Sequence, residues 1–67
     1  MKITINGKAE QLQEALNVAD LLVSRKIRPE MVAVEVNGAI VPRGKFATTQ
    51  LLEGDKVEFL YYMGGGR

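Results

Sequence analysis

The chain has no cysteine, no histidine and no tryptophan, and only two prolines. Without cysteine there is no disulfide framework, no thiolate nucleophile and no Cys-ligated metal. Without histidine the commonest general base and metal ligand are gone, so a hydrolytic triad cannot be assembled. A carboxylate-only cation site would need Asp and Glu at calcium-loop spacing, and no such cluster appears. An excess of one charge is lacking too: nine basic and eight acidic residues leave a net +1. The densest basic feature is Arg25, Lys26 and Arg28, whereas a nucleic-acid binder needs a concentrated basic face. No apolar run reaches membrane-spanning length, and the N-terminus lacks a signal-peptide pattern. The expectation is a soluble, cytoplasmic protein with no nucleic-acid or membrane partner.

Sixty-seven residues make one small domain. At this size a domain buries only about 60% of its unfolded surface. That leaves room for a core and one surface function, and little room for an enzyme cleft.

What is present is strand-like. In 1–6, Ile3 and Ile5 alternate with Lys2 and Thr4, the pattern of a strand with one buried face. Asn6-Gly7 follows, a two-residue hairpin signal, because a type I′ turn needs positive φ at both central residues. The return strand, about Lys8 to Leu12, is poorly patterned and is expected because the turn requires a partner. Val32, Val34 and Val36 alternate with Ala33 and Glu35 in a second strand over 31–37, and the valines should face the core. Asn37-Gly38 repeats the turn signal. Ala39, Ile40 and Val41 make a short return strand stopped by Pro42, which places it at a sheet edge. Over 43–50 the pattern is irregular, with Phe46 as the expected anchor. Glu53-Gly54-Asp55 reads as a turn into a last strand over 56–63. Val57, Phe59 and Tyr61 share its core face; Glu58, Leu60 and Tyr62 share the other.

One segment is helical. Val18, Leu21, Leu22 and Arg25 fall at i, i+3, i+4 and i+7. Asn17 is a good N-cap, with Asp20 three residues on and Leu16 placed to staple onto Leu21. Arg25 and Lys26 are expected in the last turn, where cations complement the dipole, and Pro29 should end the helix. A single short helix covers one face of one sheet. The expected architecture is therefore α+β, two layers, with a mixed four- or five-stranded sheet and one main helix. The last strand is apolar on both faces, so it belongs in the middle, beside the first strand and parallel to it. That arrangement is a β-grasp fold over 1–63, followed by a glycine tail over 64–67.

The tail, Gly64-Gly65-Gly66-Arg67, contributes nothing to a core. Glycine has no Cβ and the largest entropy cost of ordering, so such an end is expected to be mobile. It is also the thinnest peptide that can be offered to another protein's active site. Beside it, Leu60 and Tyr62 would stand on the open face of the sheet as a contact surface. The alternative is that they pack under the 43–52 segment.

Several segments, in this order and spacing, resemble the thiamine-biosynthesis sulfur carrier family (ThiS), a ubiquitin-like group. They are Lys2-Ile3-Thr4-Ile5-Asn6-Gly7, Val32-Ala33-Val34-Glu35-Val36-Asn37-Gly38, Ile40-Val41-Pro42-Arg43, Ala47-Thr48-Thr49, Glu53-Gly54-Asp55-Lys56-Val57-Glu58 and Met63-Gly64-Gly65-Gly66. The resemblance spans nearly the whole chain. It implies a carrier and not a catalyst, with no bound cofactor. An E1-like adenylyltransferase of ThiF type would use ATP to adenylate the terminal glycine. A sulfur donor such as a cysteine desulfurase system would convert it to a thiocarboxylate. A thiazole synthase of ThiG type would accept the sulfur. Gly66 matches the activated glycine, with Gly64 and Gly65 as clearance and Leu60 and Tyr62 as docking residues. Arg67 departs from the family's Gly-Gly end, and its removal before activation is the expectation. Two other readings stay open: a carrier for another sulfur pathway (molybdopterin synthase small subunit-like, or related to cysteine or the tungsten cofactor), and a non-covalent β-grasp binding module.

Overall fold

The computed structural model describes residues 1–62. It contains five strands and one α-helix: β1 (Lys2–Ile5), β2 (Lys8–Gln11), α1 (Val18–Ser24), β3 (Val32–Val36), β4 (Ala39–Val41) and β5 (Lys56–Tyr61). Short 3₁₀ turns lie at Pro29–Met31 and Arg43–Thr48. The strand order is β2-β1-β5-β3-β4. β5 sits in the centre, parallel to β1 and antiparallel to β3. This is the expected mixed sheet, with one main helix on one face.

Both hairpins close through Asn-Gly turns. Asn6 and Gly7 have φ of 49° and 82°, and Asn37 and Gly38 have 53° and 85°. These are the positive values that a type I′ turn requires. The turns set the registers Ile5↔Lys8 and Val36↔Ala39. The poorly patterned return strand forms over Lys8–Gln11, held by its partner and not by its own side chains.

A helix of seven residues is too short to persist alone in water. It persists because Val18, Leu21 and Leu22 are fully buried against Ile3, Val34, Val57 and Phe59 from the sheet. Each such side chain contributes about 1.5–3 kcal/mol of transfer free energy. At the N-terminus, Asn17 Oδ1 accepts from the Asp20 N–H at 2.7 Å, and Asn17 Nδ2 donates to the Ala47 carbonyl at 3.1 Å. The Val18 N–H donates to the Thr49 carbonyl, and the Leu51 N–H to the Leu16 carbonyl. The N-cap therefore secures the 43–52 segment as well as the helix, and that segment buries Phe46 and Leu51.

The C-terminus differs from the expectation. The helix stops at Ser24, so Arg25 and Lys26 lie beyond the last turn. Lys26 takes φ of 60°. Its N–H donates to the Val23 carbonyl, and the Ile27 N–H donates to the Leu22 carbonyl at 2.9 Å. That pair of bonds around a left-handed residue is a Schellman motif. It ends the helix before Pro29 can act. Val36 packs against the core as expected and is only partly buried, lying at the end of β3 next to the turn.

Tyr61 adds a detail that alternation cannot supply. It shares a face with Val57 and Phe59, as alternation predicts, but it is 57% exposed. The helix is too short to reach over it.

Candidate functional site

Of the functional residues named from the sequence, Leu60 lies near the end of β5 and Tyr62 just beyond it. Gly64, Gly65, Gly66 and Arg67 lie outside the described residues. The strand that leads to them is fully placed. Phe59 is buried beneath the helix, whereas Leu60, Tyr61 and Tyr62 are all exposed. Three consecutive large side chains thus stand in solvent where the strand leaves the sheet.

Pairing assigns them to faces. Leu60 lies opposite Ala33, and Glu58 opposite Glu35, on the side away from the helix. Tyr62 follows by alternation, with its N–H donating to the Met31 carbonyl at 3.3 Å. Leu60 is 48% exposed and Tyr62 53%. Neither packs under the 43–52 segment, which lies against α1 on the opposite side of the sheet. Ile40, opposite Glu35 on β4, adds a further exposed apolar side chain to the open face. The sequence reading missed Ile40, although a signal was available. The two-residue Asn37-Gly38 loop fixes 35 opposite 40, and a residue opposite an outward Glu35 must itself point outward. Ile40, Leu60 and Tyr62 are interrupted by Lys56, Glu58 and Glu35, so the face is amphipathic.

The start of β5 is held by a polar cluster that also escaped the sequence reading. Asp55 is 9% exposed. Its Oδ2 accepts from the Leu52 N–H at 2.8 Å, and its Oδ1 accepts from Asn37 Nδ2 at 2.9 Å. Asn37 Oδ1 accepts from the Lys56 N–H at 2.9 Å, and Asn6 Oδ1 accepts from the Phe59 N–H at 2.8 Å. Each hairpin asparagine therefore uses its side chain to secure β5. No sequence signal beyond Asn-Gly itself points to these bonds, because their partners are remote in the chain.

On the helix side, Tyr61 borders a depression of about 390 Å³ that is also lined by Ile5, Asn6, Lys8, Glu10, Arg25 and Ile27. Arg25 forms an ion pair with Glu10 there. The hydrogen bond from the guanidinium, with its positive charge, holds the Glu10 carboxyl below its ordinary value. Among the described residues no three Asp, Glu, His or Cys side chains gather as a metal site. No helix among them is long and apolar enough to cross a membrane. The geometry offers an exposed strand end, an amphipathic face and a held base. It suits presentation of a C-terminal segment to another protein.

The chain is similar to known proteins. The crystal structure of a thiamine biosynthesis protein (ThiS) from Geobacter metallireducens is 46% identical, with a TM-score of 0.86 over 98% of this chain and 100% of that one. A thiazole synthase of Magnetococcus marinus is 37% identical over all of this chain, which spans only 21% of that protein. The sulfur carrier protein ThiS of Bacillus subtilis is 28% identical over 96% of this chain and 98% of its own length. The family model for ThiS matches residues 3–66, and with it the chain belongs to the ThiS family.

Proposed function

We propose that the protein is a sulfur carrier for thiamine biosynthesis, whose Gly66 carboxylate is adenylated and then converted to a thiocarboxylate. The observation that carries this is the family match over 3–66, which takes in the tail as well as the body. The exposed end of β5 supports it, since it leads directly to that tail.

The chemistry asks little of the carrier's side chains. A carboxylate is a poor electrophile; its oxygen attacks the α-phosphate of ATP, pyrophosphate leaves, and the acyl-adenylate then carries a good leaving group. Sulfide attack expels AMP and leaves the thiocarboxylate. A ThiF-type adenylyltransferase supplies the electrostatic stabilisation. A cysteine desulfurase system supplies the sulfur, and a ThiG-type thiazole synthase accepts it. Matches to two thiazole synthases over nearly the whole of this chain support that last partner. The carrier's own part is to fit: Gly64 and Gly65 bring no Cβ into the partner's channel. Leu60 and Tyr62 dock the partner's apolar surface beside it. Whatever follows Gly66, beginning with Arg67, must be cleaved to free the carboxylate.

The test is one incubation. The chain ending at Gly66 is mixed with ATP, the adenylyltransferase and sulfide, and its intact mass is measured. Replacement of one oxygen by sulfur is expected. An unchanged mass with a demonstrably active enzyme would overturn the reading, and thiocarboxylation with Arg67 retained would overturn the cleavage step.

A further inference from the structure

β5 outruns its neighbour. The last residue of β1 paired with it is Ile5, opposite Val57, yet β5 continues to Tyr61. Alternate residues of a strand direct their N–H and C=O groups to opposite edges. The Tyr62 N–H bonds to Met31, which assigns the even-numbered residues to β3. The odd-numbered residues therefore face the β1 side. There the Val57 carbonyl accepts from the Asn6 N–H, and the Phe59 N–H donates to Asn6 Oδ1. Past Asn6 that edge has no further strand among the described residues. The Phe59 carbonyl and the Tyr61 N–H and carbonyl form a short open edge in the centre of the sheet. Such an edge is a template for another strand.

The depression beside it has a charge preference. Its lining carries Lys8 and Arg25 against Glu10. Arg25 is paired with Glu10, and Lys8 has no salt bridge among the described residues. Ile5, Ile27 and Phe59 supply apolar wall.

We infer that the adenylating enzyme adds an extended segment to this edge, bonded to Phe59 and Tyr61, with an acidic side chain directed at Lys8. This rests on the sulfur-carrier reading and names how that partner grips the strand. The grip has a mechanical logic. Gly66 lies five residues beyond Tyr61, about 17 Å of extended chain. Fixing the strand that precedes Gly66 sets the direction from which the carboxylate is offered.

Tyr61→Pro tests it. Proline removes the N–H that faces the open edge and leaves the bonds to β3 untouched, a position where a strand tolerates it. Tyr61→Ala removes the ring and keeps the N–H. Affinity for the adenylating enzyme is measured by calorimetry for wild type and both variants, all ending at Gly66, with thermal melting as the check on folding. The expected result is about a tenfold loss for Tyr61→Pro beyond that of Tyr61→Ala, the value of one hydrogen bond. Amide exchange at Tyr61 in the wild-type complex gives a second measurement that no variant can confound: slowing of that amide is expected. Equal affinities for the two variants, or an unprotected Tyr61 amide in the complex, overturn the added strand. Failure of the wild-type chain to be adenylated at all would instead overturn the carrier reading.

Discussion

The two faces of β5 are built from the same kinds of residue and do opposite things. On the covered face Val57 and Phe59 are buried under α1; on the open face Leu60 and Tyr62 are about half exposed. Hydrophobicity does not distinguish Leu60 from Phe59. What distinguishes them is which side a seven-residue helix covers. Apolar side chains are spent on stability where a second layer exists, and are left free for contact where it does not.

The sharpest way to break this comparison is to cut one residue from the helix that covers the first face and one from the open face. Leu22→Ala opens a cavity in the covered layer and should cost about 2–5 kcal/mol, measured by denaturant unfolding. For a small domain that is a large fraction of its stability. Leu60→Lys should leave unfolding within about 0.5 kcal/mol of wild type while abolishing sulfur transfer. If Leu60→Lys unfolds the domain, or transfers sulfur normally, the open face is not a docking surface.

The two Asn-Gly turns sharpen the comparison at the next level. Both asparagines adopt positive φ, and glycine tolerates that at either site. Substituting glycine therefore isolates the side-chain bonds. Asn37→Gly deprives the buried Asp55 of a donor and the Lys56 N–H of an acceptor, and should cost about 1–3 kcal/mol in a thermal melt. Asn6→Gly removes one bond, to the Phe59 N–H, and should cost about 1 kcal/mol or less.

The smallest effect is at the corner the helix does not reach. The Glu10 carboxyl titrates below its ordinary 4.5 because Arg25 donates to it. A depressed acid contributes stability above the unfolded value, and that contribution is lost as pH falls through the folded value. The pair is partly exposed, so Arg25→Ala should cost about 0.5 kcal/mol at neutral pH. It should also flatten the fall in stability expected of wild type below pH 4.5. An unchanged acid limb would mean the pair is too solvated to matter.

Much of this fold was legible because it is written in local patterns. Alternation located β1, β3 and β5, and each Asn-Gly pair fixed a register. Val18, Leu21 and Leu22 declared a helix face, and the parallel partnership of first and last strands followed from the apolar length of β5. The errors arose where a distant residue decides. Lys26 ends the helix in a left-handed conformation that lysine does not advertise. Tyr61 alternates correctly yet is uncovered, because the reach of a helix is a property of three dimensions. The Asn37–Asp55 bond joins residues eighteen apart. The exposure of Leu60 and Tyr62 was legible from alternation and that of Ile40 from the Asn37-Gly38 register, whereas the open edge of β5 emerges only once the strands are ordered.

The central place of β5 has a consequence for synthesis. It is the last made of the five strands among the described residues, and until it arrives the two hairpins have nothing to join them, since β1 and β3 each pair with β5 and not with each other. A nascent chain stopped before Lys56 has a sheet with a missing middle, and contacts of such long sequence separation form late. Truncated products therefore fail to fold and are open to proteolysis. A folded body therefore certifies that its own fifth strand has been made.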